Sequence, residues 1–140
     1  MDALPTQIEL SVVTPDKQVV HESVDSVSFP GKRGYLGILP GHAPLLTELT
    51  IGEIDYAFRG KRHYLAVCWG FAEVLPDRVI VLAQTAERAE DIDVARAERA
   101  KQRAEDRLKK PADTEIDSDR ARIALERALI RLQTAHRLRG

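Results

Sequence analysis

The sequence contains one cysteine, few aromatic residues and no long apolar run. A single cysteine, Cys68, excludes a disulfide within the chain and fits a reducing, cytoplasmic setting. No stretch approaches the roughly 20 apolar residues that a membrane-spanning helix needs, so we expect any membrane association to be made through a partner. The N-terminus has no basic segment followed by an apolar run, and we therefore expect no secretory signal.

Net charge is also nearly absent, but the charges are unevenly distributed. The formal net charge is -1, with 7 basic against 10 acidic residues in 1–84 and 14 against 12 in 85–140. From residue 120 onward, six arginines accompany a single acidic residue, Glu126. This end of the chain favours an anionic ligand or an acidic protein surface. No aromatic residue follows Phe71 to stack on bases, which argues against a nucleic-acid partner.

Residues 8–83 alternate with the period of two that is typical of β-strands. The alternation is clearest at Ile54, Tyr56 and Phe58, with other residue types between them. Turn-forming segments separate the short apolar runs, as hairpin-linked strands require. We therefore predict that residues 1–86 form an all-β domain, a sandwich or barrel. The expected turns lie at residues 14–17, 30–31, 40–42, 59–61 and 75–78.

Residues 87–140 have the composition of a helical hairpin. They are rich in good helix formers and contain no glycine before Gly140. We predict one helix over residues 92–109 with Asp91 near its N-cap, and a second over residues 118–138 capped by Asp117. A turn at residues 110–116, containing Pro111, would join them in antiparallel fashion.

Each predicted helix carries an alanine-rich apolar stripe. Because alanine buries little apolar area, such a seam permits close but weak packing, and a mobile hairpin is expected. The first stripe consists of Ala97, Ala100, Ala104 and Leu108, and the second of Ala121, Ala124, Leu125, Ala128 and Leu132.

Arginines flank both stripes on the side that antiparallel packing would bring to one edge. At 100° per residue, the three arginines of each set fall within roughly 40° of one another. Guanidinium groups bind phosphate well, so a phosphate chain is one candidate ligand, and Asp93 could orient an arginine or meet the ligand's polar edge. A solvated basic flank, or one that meets an acidic partner, is the alternative, and the charge pattern leaves both open. The two sets are Arg96, Arg103, Arg107 and Arg120, Arg127, Arg131.

Two segments resemble a known family. Residues 29–46, FPGKRGYLGILPGHAPLL, closely resemble the P-G-x-x-G-x-x-G-[IV]-L-P-G-H-A-P-L signature of the F-type ATP synthase epsilon subunit. Residues 92–97, IDVARA, resemble the I-D-x-x-R-A motif associated with ATP binding in bacterial members. The resemblance covers nearly the whole chain, although Cys68 and Trp69 stand where the family usually has small residues before Gly70.

The resemblance implies a non-catalytic subunit of a rotary motor. Its β-sandwich would bind the gamma subunit of the central stalk and sit on the c subunits of the rotor ring. The chain would be peripheral, on the cytoplasmic face of the bacterial inner membrane. By analogy with the family, the interface would include Gly31, Gly34, Pro40, Gly41, His42 and Ala43.

The resemblance also implies a regulatory hairpin. Folded against the sandwich it would be inactive; extended, it would meet acidic residues of the alpha/beta catalytic head and block ATP hydrolysis. No cofactor is obligatory and no metal is expected, but ATP would act as a regulatory ligand. The expected ATP-binding residues are Ile92, Asp93, Arg96, Arg103, Arg127 and Arg131.

Two other classes of protein remain as alternatives. An enzyme is disfavoured because the sequence has no phosphate-cradling glycine-rich loop followed by lysine, no metal-ligand cluster and no nucleophile–base pair. An adaptor with a coiled-coil tail is the better rival, and it predicts a dimer where the resemblance predicts a monomer. Alanine stripes lack the leucine and isoleucine heptads of a stable two-stranded coil.

Overall fold

The computed structural model describes residues 4–110 and 115–139. The chain divides into two compact units, Met1–Arg88 and Ala89–Gly140. The described part of the first unit contains eight strands, and that of the second contains two helices flanked by 3-10 turns. The strands are β1 (Ile8–Val13), β2 (Gln18–Val24), β3 (Ser26–Gly31), β4 (Gly34–Ile38), β5 (Leu45–Leu49), β6 (Gly52–Phe58), β7 (Lys61–Leu75) and β8 (Arg78–Arg88).

The strands form one continuous hydrogen-bonded sheet that folds onto itself. Its order is β2-β1-β8-β7-β5-β3-β4, and β6 pairs with both β3 and β7. Neighbours are antiparallel except for β1 and β8, which are parallel. The 15-residue β7 changes partner along its length, because its first half pairs with β6 and its second half with β5. The predicted all-β sandwich is confirmed.

The change of partner on β7 occurs at Trp69 and Gly70. Both have positive φ angles, 48° and 143°. The backbone N–H of Trp69 donates to the carbonyl of Thr50 at 3.3 Å, in the short link between β5 and β6. A Cβ atom on Gly70 would lie 1.9 Å from the carbonyl oxygen of Leu82. Gly70 therefore allows β7 and β8 to approach closely at this point.

The core lies between the folded halves of the sheet. Alternation places Phe29 and Tyr56, its largest fully buried side chains, inside the sandwich. The end of β8 is fixed by Arg88, whose Nε and a terminal guanidinium nitrogen donate to the carbonyl of Val19 on β2 at 3.1 and 3.0 Å. This contact holds the last residue of the first unit against the edge strand β2.

The hairpin between β3 and β4 corrects one predicted turn. Pro30 and Gly31, expected to interrupt the strands, are the last residues of β3, and the turn consists of Lys32 and Arg33. Proline has no N–H to donate, but here its carbonyl makes the contact by accepting from the N–H of Thr50 at 2.9 Å. Proline is therefore tolerated at this position.

The helix boundaries also differ from the predicted ones. Helix α1 (Val94–Lys109) has Asp93 as its N-cap, and the Asp93 carboxylate accepts from the backbone N–H of Arg96 at 3.0 Å. Asp91, predicted near the cap, lies two residues before it, at the end of the 3-10 turn Ala89–Asp91. Helix α2 (Glu115–His136) begins before Asp117, which is therefore not its cap. Of the predicted turn, residues 111–114 lie outside the described residues.

The seam between α1 and α2 is narrower than predicted. Its most buried alanines recur every seven residues, a spacing that keeps one line of small side chains facing the other helix. Leu108, expected on the stripe, is instead 42% exposed. Ala100, Ala124, Leu125 and Leu132 are half-buried. The fully or nearly buried seam positions are Ala97 and Ala104 on α1 and Ala121, Ala128 and Ala135 on α2.

Candidate docking face and the hairpin arginines

An apolar face lies on the outside of the sandwich, across strands β1, β8, β7 and β5. Val13 is paired with Leu82, and Leu82 with Phe71, so the three side chains lie side by side on one surface of the sheet. Phe71 is 51% exposed and Leu82 is 54% exposed. On β5, Leu46 lies on the same surface and is 68% exposed. We call this surface the outer face.

A groove of about 660 Å³ runs along this outer face. Phe71 and Leu82 line it together with Val13, Pro15 and Trp69. Trp69, two residues before Phe71 on β7, has a left-handed backbone with φ of 48°. A positive φ is a genuine outlier for so bulky a residue.

Two glutamates lie beside the groove, and one of them is paired with a lysine. Glu48 is the charged side chain among the lining residues, and it is paired across the strands with Phe71. Its carboxylate forms an exposed salt bridge with Lys32 at 3.2 Å. Glu73, two residues beyond Phe71 on the same surface of β7, is also exposed. A partner that covers the apolar residues therefore meets the Glu73 carboxylate and the Glu48–Lys32 ion pair at the edge.

The predicted interface residues do not form one cluster. Gly31 and Gly34 flank the turn at one end of β4, whereas Pro40, Gly41, His42 and Ala43 follow its other end. Four strand residues and Leu39 separate Gly34 from Pro40, a span of about 20 Å in extended chain. Gly31 is buried, and a Cβ atom added to it would lie 2.9 Å from the carbonyl oxygen of Gly34. Its role in this structure is to close the hairpin.

The loop after β4 is held in place by hydrogen bonds to the β7–β8 turn and within the loop itself. The N–H of Gly41 donates to the carbonyl of Pro76 at 2.7 Å, and Gly41 has a φ of 87°. Nδ1 of His42 lies 2.7 Å from the carbonyl oxygen of Ala43, so Nδ1 carries the proton in this contact. The second ring nitrogen, Nε2, then remains to interact with another group.

The predicted ATP-binding residues differ in exposure. Ile92 is buried at 8% exposure, and Asp93 is engaged in capping α1. Arg96 and Arg103 are exposed, while Arg127 and Arg131 on α2 are half-buried.

Antiparallel packing sets the axial positions of these groups. In an antiparallel hairpin, residues the same number of positions before and after the connection lie opposite each other. The first turns of α1 therefore lie opposite the segment of α2 that holds Arg127 and Arg131. Arg103 lies about 10 Å further along α1 than Arg96.

The outer face is the feature that sequence reasoning missed. The run from Cys68 to Phe71 is apolar on both sides of the strand, and this was the available signal. In 4–110 and 115–139, no group of three or more His, Cys, Asp or Glu residues could hold a metal ion. Among those residues, no helix is long and apolar enough to cross a membrane.

Comparison with known proteins identifies the family. The family model for the beta-sandwich domain of the ATP synthase delta/epsilon chain matches residues 7–89, and the model for its long alpha-helix domain matches residues 90–136. An ATP synthase epsilon chain from Koribacter versatilis is 60% identical over 100 residues, which are 71% of this chain and 70% of that protein. One from Syntrophobacter fumaroxidans is 45% identical over 131 residues, 94% of this chain and 97% of that protein.

A solved structure has the same fold. It is a chain in the cryo-EM structure of the Euglena gracilis mitochondrial ATP synthase, which comprises OSCP, F1 and the c-ring. The match has a TM-score of 0.78 and 25% identity, and covers 89% of this chain and 79% of that one. With both units matched by family models in the same order, the chain belongs to the ATP synthase delta/epsilon family.

Proposed function

We propose that this chain is the epsilon subunit of a rotary F-type ATP synthase, a non-catalytic part of the central stalk that couples rotation to ATP synthesis. The observation that carries the proposal is the outer face, where Leu46, Phe71 and Leu82 are each more than half exposed. A contiguous exposed apolar surface rimmed by polar groups is typical of a protein–protein interface. A subunit that transmits torque needs such a permanent contact.

The gamma subunit is the partner proposed for the outer face. The exposed carboxylate of Glu73 at its edge favours a gamma segment that carries lysine or arginine beside its apolar residues. The c subunits of the rotor ring are proposed to contact the turn at Lys32 and Arg33 and the loop around His42. These contacts would keep the chain on the cytoplasmic face of a bacterial inner membrane.

The outer-face proposal predicts that Leu82→Lys weakens binding to gamma by about 30-fold, because it removes an apolar contact and places a cation where a basic partner docks. Leu4→Lys, which changes an 85% exposed leucine outside the groove, should bind like wild type. The measurement is surface plasmon resonance with the gamma subunit of the same organism. Equal weakening by both variants, or a stable dimer of the chain in sedimentation, would contradict the proposal.

The hairpin is proposed to inhibit ATP hydrolysis when it extends toward the catalytic head. Its last turns carry an excess of arginine over acidic residues, and the alanine seam buries little area. Such a hairpin separates at modest cost, and its cations suit the acidic regions of the alpha and beta subunits.

ATP is the regulatory ligand proposed for the compact hairpin. A ligand that binds only the compact state stabilises it by RT ln(1 + [ATP]/Kd), about 2.7 kcal/mol at a hundredfold excess over Kd. High ATP would therefore withdraw the inhibitor. The proposed site comprises Ile92, Asp93, Arg96, Arg103, Arg127 and Arg131. Support comes from the half-buried guanidinium groups of Arg127 and Arg131, since partial burial strengthens a charge-assisted hydrogen bond to phosphate.

Isothermal titration calorimetry of the whole chain with ATP tests this site. Wild type is expected to bind in the micromolar to millimolar range, and Arg127→Ala to lose about tenfold in affinity, the value of one charged hydrogen bond. Arg122→Ala is the matched control, because Arg122 is an exposed α2 arginine that pairs with Asp119.

Asp93 requires two variants, since its carboxylate also caps α1. Asp93→Ala would remove the cap, at a cost of about 1 kcal/mol, together with the charge. Asp93→Ser keeps a capping oxygen and removes the charge alone. Absence of heat at millimolar ATP, or equal losses in Arg122→Ala and Arg127→Ala, would reject the ATP site and leave the rotor role intact.

A further inference from the structure

We infer that Trp69 is the specificity anchor of the outer face, and that it binds an apolar segment of the gamma subunit that has a lysine or arginine next to its apolar residues. This inference rests on the proposed function, because it takes the gamma subunit as the occupant of the groove. The first observation is conformational. Trp69 has a φ of 48° and is followed by Gly70 at 143°, so a bulky residue stands where the backbone favours glycine or asparagine.

Positive φ at a large side chain costs free energy and persists only where the surrounding structure enforces it. The Trp69 backbone is held by its N–H donating to Thr50 and by the paired residues on either side, Cys68 with Thr85 and Gly70 with Ala83. Glycine would satisfy the same backbone at lower cost. The indole therefore contributes something that the backbone does not require.

The second observation is the position of the side chain. Trp69 is half-buried and lines the groove beside Phe71 and Leu82. The two neighbours are more than half exposed, so a segment laid in the groove would cover all three. Tryptophan in a partly desolvated apolar pocket is the residue type that most often dominates the free energy of an interface. The tryptophan side chain has only two rotatable χ angles, so little conformational entropy is lost when it is fixed on binding.

Charge complementarity selects the occupant. Glu73 is exposed on the same surface as the groove, where it pairs across the strands with Leu46, whereas Glu48 in the groove lining is already paired with Lys32. A second copy of this chain would oppose the Glu73 carboxylate with its own if the two outer faces met. A gamma segment with lysine or arginine next to its apolar residues would pair with Glu73.

The single tryptophan of the 140-residue chain makes a direct test possible. Biosynthetic labelling with 5-fluorotryptophan gives one 19F resonance, which reports on Trp69 alone. Adding the gamma subunit is expected to shift this resonance, and the shift should saturate with the same Kd as surface plasmon resonance gives. A resonance unmoved by saturating gamma would overturn the inference, as would a shift that depends on the concentration of the chain alone.

Substitution of Trp69 provides a second test. Trp69→Gly and Trp69→Asn both suit a positive φ, so the fold should be retained, whereas affinity for gamma should fall about tenfold. Leu4→Ala should bind as wild type does. If wild type binds gamma and both Trp69 variants bind equally well, the anchor is rejected and the proposed function stands. If wild type does not bind gamma at all, the proposed function fails and the inference with it.

Discussion

Gly70→Ala is expected to cost the β-sandwich about 4 kcal/mol or more, enough to leave much of the first unit unfolded at physiological temperature. The added Cβ would lie 1.9 Å from the carbonyl oxygen of Leu82 and 2.8 Å from the Cα of Ala83. Both are backbone atoms of the paired strand β8, so no side-chain rotation can relieve the clash. The φ of 143° adds strain, because residues with a Cβ rarely adopt it.

Thermal and urea unfolding followed by circular dichroism would measure this loss. Gly37→Ala is the matched control, since Gly37 lies in strand β4, has no positive φ, and an added Cβ would meet no atom within 4 Å. It should change the free energy of unfolding by less than about 0.5 kcal/mol. A Gly70→Ala protein that unfolds at the wild-type midpoint would show that β7 and β8 can separate there without cost.

Ala104→Phe is expected to destabilise the hairpin by about 3 kcal/mol. Ala104 is 2% exposed in the seam between α1 and α2, and a phenyl ring there would force the helices apart. The remaining seam is built largely from alanine and has little apolar area with which to compensate. The effect should be confined to the second unit.

Hydrogen–deuterium exchange would show this as faster exchange in α1 and α2, with the strands unchanged. Ala95→Phe is the control, because Ala95 is exposed on the same helix. If ATP binds the compact hairpin, as proposed, Ala104→Phe should also weaken ATP binding. The apparent Kd should rise in inverse proportion to the fraction of molecules that remain compact. Equal exchange in the two variants would mean that the helices are not held together through the alanine seam.

Local patterns in the sequence predicted much of this fold. Alternation over residues 8–83 predicted strands, and the alanine- and arginine-rich composition after residue 87 predicted two helices. The helix ends were less well predicted, because several acidic residues near residue 92 could cap a helix. Asp93 caps α1 because its carboxylate reaches the N–H of Arg96, whereas Asp91 lies in the preceding 3-10 turn. Similarly, Pro30 and Gly31 have the residue types of a turn, but pairing with β4 extends β3 through them.

The sequence by itself determined the order of the two units, their strand and helix types, and the family signature at residues 29–46. These properties depend on side-chain period, propensity and turn chemistry, which act over a few neighbouring residues. Only the tertiary structure decided which residues form the outer face, because strand pairing joins Val13 of β1 to Leu82 of β8 across a large distance in sequence and places Phe71 on the other side of Leu82. The same pairing sets Gly70 against Leu82, so the intolerance of that position to a side chain arises from the fold.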